Sequence, residues 1–263
     1  MQCRELLVLG LLGGCGRVGF DARPDAGSEI PGDGGPRYAD LVLASSPVAY
    51  YRLAESGGTT AVDASGNDNA GAYDADLGTI QYARPGALTT DANTAVRFDA
   101  DGNPGPTTSA SVGVPSSFVD WSADFTVEMF YLPHQAPPIN NSNVVFVCES
   151  YLINGFRVGW NVFENLHVWT DEAGGNGGLM TSVPLSMTTF SHIAIVQQAA
   201  QFTLYVEGVA VGSAPLTYIP ADSSSECGFG ALHGMPGYST NDEVALYPRA
   251  LGPGEIAAHA AAR

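Results

Sequence analysis

Apolar and polar positions alternate most clearly in Ser191–Ser213, which predicts two or three short antiparallel strands. The first strand, up to Val196, has few polar positions, so we expect it to be buried on both faces. After a polar break at Gln197–Gln201, the alternation that begins at Phe202 is typical of a strand with one face in water. Gly208 allows the next tight turn, because glycine adopts positive φ without steric cost.

The same period of two recurs along most of the chain, between turns rich in glycine, asparagine and aspartate. The segment Asp124–Tyr131 alternates cleanly, and four of its residues are expected in the core, namely Phe125, Val127, Met129 and Tyr131. Further strands are predicted at Val48–Leu53, Ala95–Phe98, Ser111–Pro115, Val144–Glu149, Gly155–Val162, Leu166–Thr170, Cys227–Leu232 and Glu243–Tyr247. The glycine-rich segment Gly174–Gly178 is predicted to be a mobile loop.

One helix is predicted, at Pro253–Ala262. Pro253 suits the first turn, Glu255 complements the positive end of the helix dipole, and alanine fills the remaining positions. Together with the strands, this helix predicts one all-β domain that ends in a short helix, since a sandwich of about 200–250 residues commonly forms a single domain.

The first residues have the pattern of a secretory signal. Arg4 provides a positive charge, and the apolar run Leu6–Leu12 is shorter than the roughly 20 residues of a membrane span. Leu12–Cys15 resembles the lipobox of bacterial lipoproteins, in which the cysteine is acylated and becomes the mature N-terminus. An ordinary cleaved signal with an incidental cysteine is the alternative. Because Gly16 follows Cys15, where aspartate would retain a lipoprotein at the inner membrane, the resemblance implies the outer membrane or cell surface.

These patterns divide the chain into three predicted segments. Residues 1–14 form a lipoprotein-type signal peptide, residues 15–37 a flexible tether rich in glycine, proline and aspartate, and residues 38–263 the folded domain. A lipidated Cys15 would hold the protein at a membrane without embedding it. Without lipidation the exported protein would be secreted or periplasmic.

Charge limits the partners that this chain can have. The formal net charge is −17, and all ten basic residues are arginines. An acidic chain without basic clusters is repelled by phosphate backbones and anionic lipids, so nucleic acid is not expected as a partner. The absence of lysine also excludes Schiff-base chemistry and the phosphate-binding lysine of P-loops. The negative charge favours cations, calcium among them.

Cysteine and histidine offer few candidates for chemistry. Cys148 and Cys227 are the only cysteines of the predicted domain, and export favours a disulfide between them, although two buried thiols remain the alternative. The histidines have no metal-ligand spacing, and we expect surface or packed side chains at His134, His167, His192, His233 and His259. His192 begins the buried strand and is expected to be structural.

Seven segments, in order, resemble the laminin G-like domain of the concanavalin A-like lectin/glucanase superfamily. They are Val48–Glu55, Val62–Asn67, Thr94–Asp99, Phe125–Met129, Ser191–Val196, Leu204–Ser213 and Asp242–Leu251, the last followed by Glu255–Ile256. Phe190 stands where the family usually has tryptophan. The resemblance implies a two-sheet antiparallel β-sandwich of the jelly-roll type. The family includes lectins, adhesion modules and glucanases, so the fold does not choose among these functions.

The resemblance also implies a calcium site, and it indicates which carboxylates a catalytic member of the family would carry. Many domains of this superfamily hold one structural calcium ion between an early turn and the last strand, and the matching residues are Asp63, Asn67 and Asp242. The alternative is a hydrogen-bonded turn without metal. Retaining glucanases of this fold carry two carboxylates in a motif such as Glu-x-Asp-x-Glu, which is absent from this sequence.

Ligand contact is expected on the longest glycine-rich and polar loops, Asp171–Gly178 and His233–Asp242. The rim candidates are Asp171, Asn176, His233, Tyr238 and Asn241. Aromatic residues that could stack on sugar rings, or pack in the core instead, are Trp121, Trp160, Trp169, Tyr151 and Tyr238. We therefore expect a surface-anchored, non-catalytic module that binds a glycan or an extracellular protein. A passive envelope or assembly domain and a divergent glycan hydrolase are the alternatives.

Overall fold

Short strands account for most of the folded chain. The computed structural model describes residues 37–76, 78–100, 110–137, 142–150, 154–161, 163, 165–172, 175–181, 183–215, 220–222, 225–231 and 235–263. The predicted signal peptide, Cys15 and His233 lie outside these residues, as does Tyr151. Among the described residues, no helix is long and apolar enough to cross a membrane.

The described strands form two antiparallel sheets of eight strands each. In chain order the strands are β1 (Ala49–Tyr51), β2 (Thr60–Ala61), β3 (Gly71–Asp74), β4 (Thr79–Pro85), β5 (Thr94–Ala100), β6 (Ala110–Val114), β7 (Phe125–Pro133), β8 (Ser142–Ser150), β9 (Asn154–Asn161), β10 (Leu166–Glu172), β11 (Gly175–Met180), β12 (Ser191–Gln198), β13 (Gln201–Val206), β14 (Val209–Pro215), β15 (Glu226–Ala231) and β16 (Gly237–Tyr247). Sheet 1 has the order β14-β13-β12-β7-β16-β5-β4, with β1 also paired to β16, and sheet 2 has the order β11-β10-β9-β8-β15-β6-β3-β2. The predicted antiparallel β-sandwich is confirmed.

The alternating stretch Ser191–Ser213 forms β12 to β14 as predicted. The first turn is shorter than the predicted polar break, because only Ala199 and Ala200 separate β12 from β13, and both have positive φ, 50° and 62°. Glu207 and Gly208 form the second turn, with φ of 49° and 77°. Two consecutive residues of positive φ match the right-handed twist of the paired strands, which explains these tight hairpins.

The main core lies between the sheets. The residues of β7 predicted to face it are buried there, and so are apolar residues of sheet 2 such as Phe146, Phe156 and Phe229. Trp121 and Trp160 belong to the same core, so for these two tryptophans the packing alternative is confirmed. Trp121 is 2% exposed and contacts Phe125 edge to face, with ring centroids 4.9 Å apart.

Helices cover the outer face of sheet 1. They are α1 (Tyr38–Ala44) and α2 (Pro253–Ala261), and the second confirms the predicted C-terminal helix. A second apolar cluster lies beneath them, including Tyr38 and Val42 of α1 and Ile256 of α2. The middle of sheet 1 is therefore buried on both faces, which explains why Ile193–Val196, at the centre of β12, is apolar throughout.

Two segments predicted as loops are strands. The glycine-rich segment pairs with β10 from Gly175 to Met180, so the loop prediction there was wrong. Residues from Gly237 onward extend β16 by pairing with β5 and β7, where a loop up to Asp242 was predicted. In both cases, backbone hydrogen bonds to a neighbouring strand hold the segment in an extended conformation, and the local sequence does not predict that pairing.

Candidate functional site

The outer face of sheet 2 is lined by glycine. Side chains alternate across each strand, and the core positions Phe156, Val168 and Phe229 place their sequence neighbours on the outer face. Five glycines occupy outer positions on four adjoining or nearby strands, namely Gly113, Gly155, Gly159, Gly178 and Gly228. Gly178 is exposed, whereas Gly155, Gly159 and Gly228 are buried. The face is therefore open near β10 and β11 and covered at β8, where Met235 packs against Val144 and Val147.

Trp169 projects from this outer face. It is partly exposed and lies in β10, with Gly178 opposite in β11 and Arg157 opposite in β9. A Cβ atom at position 178 would lie 3.1 Å from Cδ1 of Trp169, so the glycine leaves room for the indole. The ring also contacts the imidazole of His167, with centroids 4.0 Å apart. The indole is thus held at its edge by neighbours and keeps part of its surface in solvent.

His167 lies beside Trp169 on the same face of β10. Its side chain is fully buried, and burial lowers the pKa of His167 to about 4. Nδ1 lies 3.4 Å from the carbonyl oxygen of Asn165, a weak contact. The imidazole is therefore neutral at neutral pH and serves as a packing surface for the indole.

An ion pair lies beside the tryptophan on the same face. Arg157 Nε is 3.1 Å from Oε2 of Glu149, whose side chain is only 1% exposed, against 16% for Arg157. Glu226 lies directly opposite Glu149 in the register of β8 and β15 and is exposed. Like charges directly opposite are unfavourable, and the guanidinium of Arg157 offsets this repulsion. Sequence reasoning missed this pair, although Arg157 is the one charged residue in β9.

The rim candidates divide between two places. Asp171 and Asn176 are opposite each other in β10 and β11, two residues from Trp169 and Gly178 respectively. Tyr238 lies in sheet 1, opposite Asp99 and partly exposed. Asn241 is fully buried in β16, because its strand lies between β5 and β7, so it lies on no exposed loop. The structure thus brings Asp171 and Asn176 close to Trp169 and places the other two in the opposite sheet.

Cys148 and Cys227 lie on the core side of sheet 2. They are register partners in β8 and β15, with Cα atoms 3.9 Å apart, and the structure joins them by a disulfide. Glu149 and Glu226 are the neighbouring pair in the same register. The crosslink therefore lies one residue from the two carboxylates of the outer face.

The early turn is stabilised by the carboxylate of Asp63. Oδ1 accepts hydrogen bonds from the backbone N–H groups of Tyr50 and Ser65, and Oδ2 accepts from the Ser65 hydroxyl and the Asn69 N–H, at 2.7–2.9 Å. Burial opposes ionisation, but these hydrogen bonds outweigh it and lower the pKa of Asp63. Asn67 donates to the carbonyl oxygens of Pro47 and Val48. Calcium bound by Asp63 would replace some of these hydrogen bonds.

Asp242 belongs to a separate buried network. Oδ2 accepts from the N–H of Ala87 at 2.7 Å, and Oδ1 lies 3.3 Å from Nδ2 of Asn93. Burial and the adjacent Glu243 raise the pKa of Asp242 well above its ordinary value. Asp63 and Asp242 share no hydrogen-bond partner among the residues described, and there no three acidic, histidine or cysteine side chains are arranged to hold a metal ion. The calcium site stays a prediction.

Glu243 lies next to Asp242 because β16 contains a bulge. The register shifts between Asp242 and Ala245, and Glu243 has a φ of 52°. Its carboxylate accepts hydrogen bonds from Arg52 at 2.9 Å, from Asn93 at 2.9 Å and from the hydroxyl of Tyr50. Both carboxylates are fully buried. Their position between sheet 1 and the segments that cover it gives them a structural task.

A third buried carboxylate, Glu128, connects sheet 1 to both helices. Oε1 lies 2.9 Å from Nδ1 of His259 in α2 and accepts the hydroxyl proton of Tyr247, while Nε2 of His192 is 3.4 Å from Oε2. Nε2 of His259 continues the chain to Oγ of Ser45, at 3.1 Å, just after α1.

This hydroxyl–imidazole–carboxylate order resembles the triad of acyl-transfer enzymes. However, Ser45 is 9% exposed, His259 2% and Glu128 not at all, so the three groups are enclosed between helices and sheet. Burial would raise the pKa of Glu128, but His192 and His259 outweigh it and hold the pKa at about 2. The carboxylate stays ionised and fastens the helices to the sheet.

Solved structures with the same fold are distant in sequence. A Trypanosoma rangeli sialidase in complex with the inhibitor DANA has a TM-score of 0.56 and 12% identity, covering 81% of this chain and 32% of that chain. The binding domain of Paraclostridial Mosquitocidal Protein 1 has a TM-score of 0.59 and 18% identity, covering 82% and 52%. This chain therefore spans about a third of the sialidase and about half of the binding-domain structure.

A third structure is matched over almost its whole length. Domain 4 of AbnA, a GH43 extracellular arabinanase from Geobacillus stearothermophilus, in complex with arabinotriose, has a TM-score of 0.56 and 14% identity, covering 82% of this chain and 98% of that chain. No curated protein matches this chain. A family model of the laminin G type, described as the concanavalin A-like lectin/glucanases superfamily, matches residues 105–257, more than half of the chain. The predicted resemblance is confirmed, and the chain belongs to the concanavalin A-like lectin/glucanase superfamily.

Proposed function

We propose that this protein is a carbohydrate-binding module that recognises glycans outside the cytoplasm without cleaving them. The observation that carries the proposal is the partly exposed indole of Trp169 on the glycine-lined outer face of sheet 2. An aromatic ring offers an apolar surface on which the C–H face of a sugar ring can stack. Asp171 and Asn176 are register partners in β10 and β11, two positions from Trp169 and Gly178 respectively.

The state of the buried carboxylates supports recognition over cleavage. A glycosidase needs two carboxyl groups that reach the same glycosidic bond, one of them as a protonated acid. Asp242 has a raised pKa, but it is fully buried with Glu243, beyond the reach of a polysaccharide. Glu149, on the outer face, is held in an ion pair with Arg157. These three carboxylates are suited to structural roles.

The structural relatives support a glycan as the ligand. One of them is a separate domain of an arabinanase, bound to arabinotriose, and another is described as a binding domain. Their identities are 14% and 18%, so they support the fold directly and the ligand class by analogy. Export followed by lipidation at Cys15 would place such a module at the outer membrane or cell surface.

A glycan array followed by calorimetric titration of the tightest ligand tests the proposal. We expect Trp169→Ala to weaken binding roughly tenfold or more, equivalent to about 1.4 kcal/mol, because the stacking surface is lost. Val209→Ala serves as the control, since Val209 is 64% exposed and belongs to sheet 1, whereas the proposed site lies on sheet 2. Binding that is unchanged in Trp169→Ala would place the ligand elsewhere, and release of reducing sugar would contradict the non-catalytic proposal.

A further inference from the structure

A cavity of about 220 Å³ lies at one end of the sandwich, where the chain crosses between the sheets. Its walls come from the short 3-10 helix Ser116–Phe118, from Asp120 and Trp121 after it, and from Ala221 and Asp222 before β15. We infer that this cavity receives one neutral sugar unit at the end of a bound glycan and discriminates against anionic sugars. The inference rests on the proposed glycan recognition and specifies its ligand class.

Hydrogen bonds connect the cavity to the ends of two strands of sheet 2. Oδ2 of Asp222 lies 3.3 Å from Nδ2 of Asn154, the first residue of β9. Oδ1 of the same carboxylate lies 3.4 Å from Oγ of Ser225, which precedes Glu226 at the start of β15. The cavity is thus adjacent to the ends of two strands that form the outer face. A glycan lying on that face could place its terminal unit in the cavity.

The cavity walls are rich in hydrogen-bond acceptors. Oδ1 of Asp120 accepts from the N–H and hydroxyl of Ser122, at 3.0 and 2.6 Å. These bonds lower the pKa of Asp120, so the carboxylate is ionised at neutral pH. Oδ2 of Asp120 accepts no hydrogen bond from the part of the chain that the structure describes. A ligand that donates hydroxyl protons therefore suits these walls better than one that carries negative charge.

Trp121 contributes an apolar surface and no free donor. Its indole N–H donates to the carbonyl oxygen of Ser116 at 2.8 Å, and the side chain is 2% exposed. With Val119 it forms the apolar part of the wall, which also includes the carboxylates of Asp120 and Asp222. A lining that combines apolar side chains with acceptors suits a sugar ring, which has both C–H groups and hydroxyl groups.

The volume and the charge of the cavity limit the class of sugar that it can bind. Drug-sized ligands occupy pockets of roughly 300–1,000 Å³, so about 220 Å³ corresponds to a smaller unit such as one monosaccharide. Asp120 and Asp222 would repel a carboxylate or sulfate on that sugar, and the net charge of −17 adds to the repulsion. Uronic and sialic acids are therefore disfavoured.

The test is titration of the full-length protein with arabinotriose, with lactose and with 3′-sialyllactose, after the array has shown which neutral glycans bind. We expect lactose to bind at least tenfold more tightly than its acidic counterpart, 3′-sialyllactose. Asp222→Asn should reduce this ratio about threefold or more, because one repelling charge is removed with little change of shape. Ala221→Trp should weaken neutral binding at least tenfold by filling the cavity.

Each result separates the two proposals. Melting curves of both variants identify any loss of fold, and Asp76→Asn, an exposed carboxylate in the turn after β3, controls for net charge. If no glycan binds the unmodified protein, the proposed function fails. If glycans bind and depend on Trp169, but folded Ala221→Trp binds them normally, only the cavity inference is overturned. Equal or tighter binding of 3′-sialyllactose would overturn the charge discrimination.

Discussion

Replacing Glu128 by alanine removes an acceptor that links sheet 1 to α2. Tyr247 and His259 would lose a buried partner, and His192 its ion-pair contact at 3.4 Å. Breaking a buried charged pair from one side costs about 3–5 kcal/mol. Since 1 kcal/mol lowers the melting temperature by about 2–4 °C in a domain of this size, we expect a decrease of roughly 6–20 °C.

The conservative variant Glu128→Gln separates charge from hydrogen bonding. Its amide oxygen can still accept one bond, so we expect a smaller loss of about 1–3 kcal/mol in urea unfolding followed by circular dichroism. Asp76→Ala should change the unfolding free energy by less than about 0.5 kcal/mol, because Asp76 is exposed. A loss below about 1 kcal/mol for Glu128→Ala would refute the view that Glu128 fastens the helices.

Acid titration tests the same carboxylate. Because His192 and His259 outweigh burial and hold the pKa of Glu128 at about 2, the folded state retains the charge after an unfolded chain has lost it. The stabilisation is present above the ordinary pKa of about 4.3 and is lost as pH falls towards 2. The stability difference between the unmodified protein and Glu128→Gln should therefore shrink across that range. A constant difference would contradict the assigned charge.

Four further predictions follow from other sites. His167 has a folded pKa of about 4, below its ordinary value, so unfolding takes up a proton between about pH 6.5 and 4. The free energy of unfolding should therefore fall by up to about 3 kcal/mol as the pH decreases over that range. In urea unfolding experiments, His167→Phe should remove most of this fall. Reduction of the disulfide, or the double substitution Cys148→Ser and Cys227→Ser, should lower the free energy of unfolding by about 2–4 kcal/mol, since the two cysteines are 79 residues apart. The same melting temperature with and without reductant would contradict a stabilising disulfide. Calcium should raise the melting temperature by several degrees over chelator if Asp63, Asn67 and Asp242 contribute to a site, and no shift, with or without Asp63→Asn, would remove that prediction. Cys15→Ser should abolish incorporation of labelled fatty acid and release the protein from membranes, whereas unchanged fractionation would contradict lipidation of Cys15.

Local patterns predicted the elements whose residues alternate strongly. Strands β7 and β12 to β14 follow from period-two alternation, and α2 follows from its proline, glutamate and alanines. Helix α1 was missed because it has only seven residues, of which Tyr38 and Val42 are buried. Strand β11 was missed because its glycines carry no hydrophobic pattern, and its pairing with β10 provides the order. Such pairing is a tertiary effect that overrides local propensity.

The site depended on contacts between distant segments. Trp169, Asp171 and Asn176 were candidates from composition alone, and the register of β10 and β11 brings them together. Glu149 and Glu226 are 77 positions apart in the numbering, and only the pairing of β8 with β15 makes them neighbours. The contact of Glu128 with His259 spans 131 residues and has no short motif. Sequence spacing alone could not predict these partnerships.

The most direct test of the central claim is a crystal structure of the full-length protein soaked with the tightest-binding neutral oligosaccharide from the array. We predict that a sugar ring stacks on the indole of Trp169, on the outer face of sheet 2. Electron density for the glycan on sheet 1, or on loops away from Trp169, would contradict the proposed binding face.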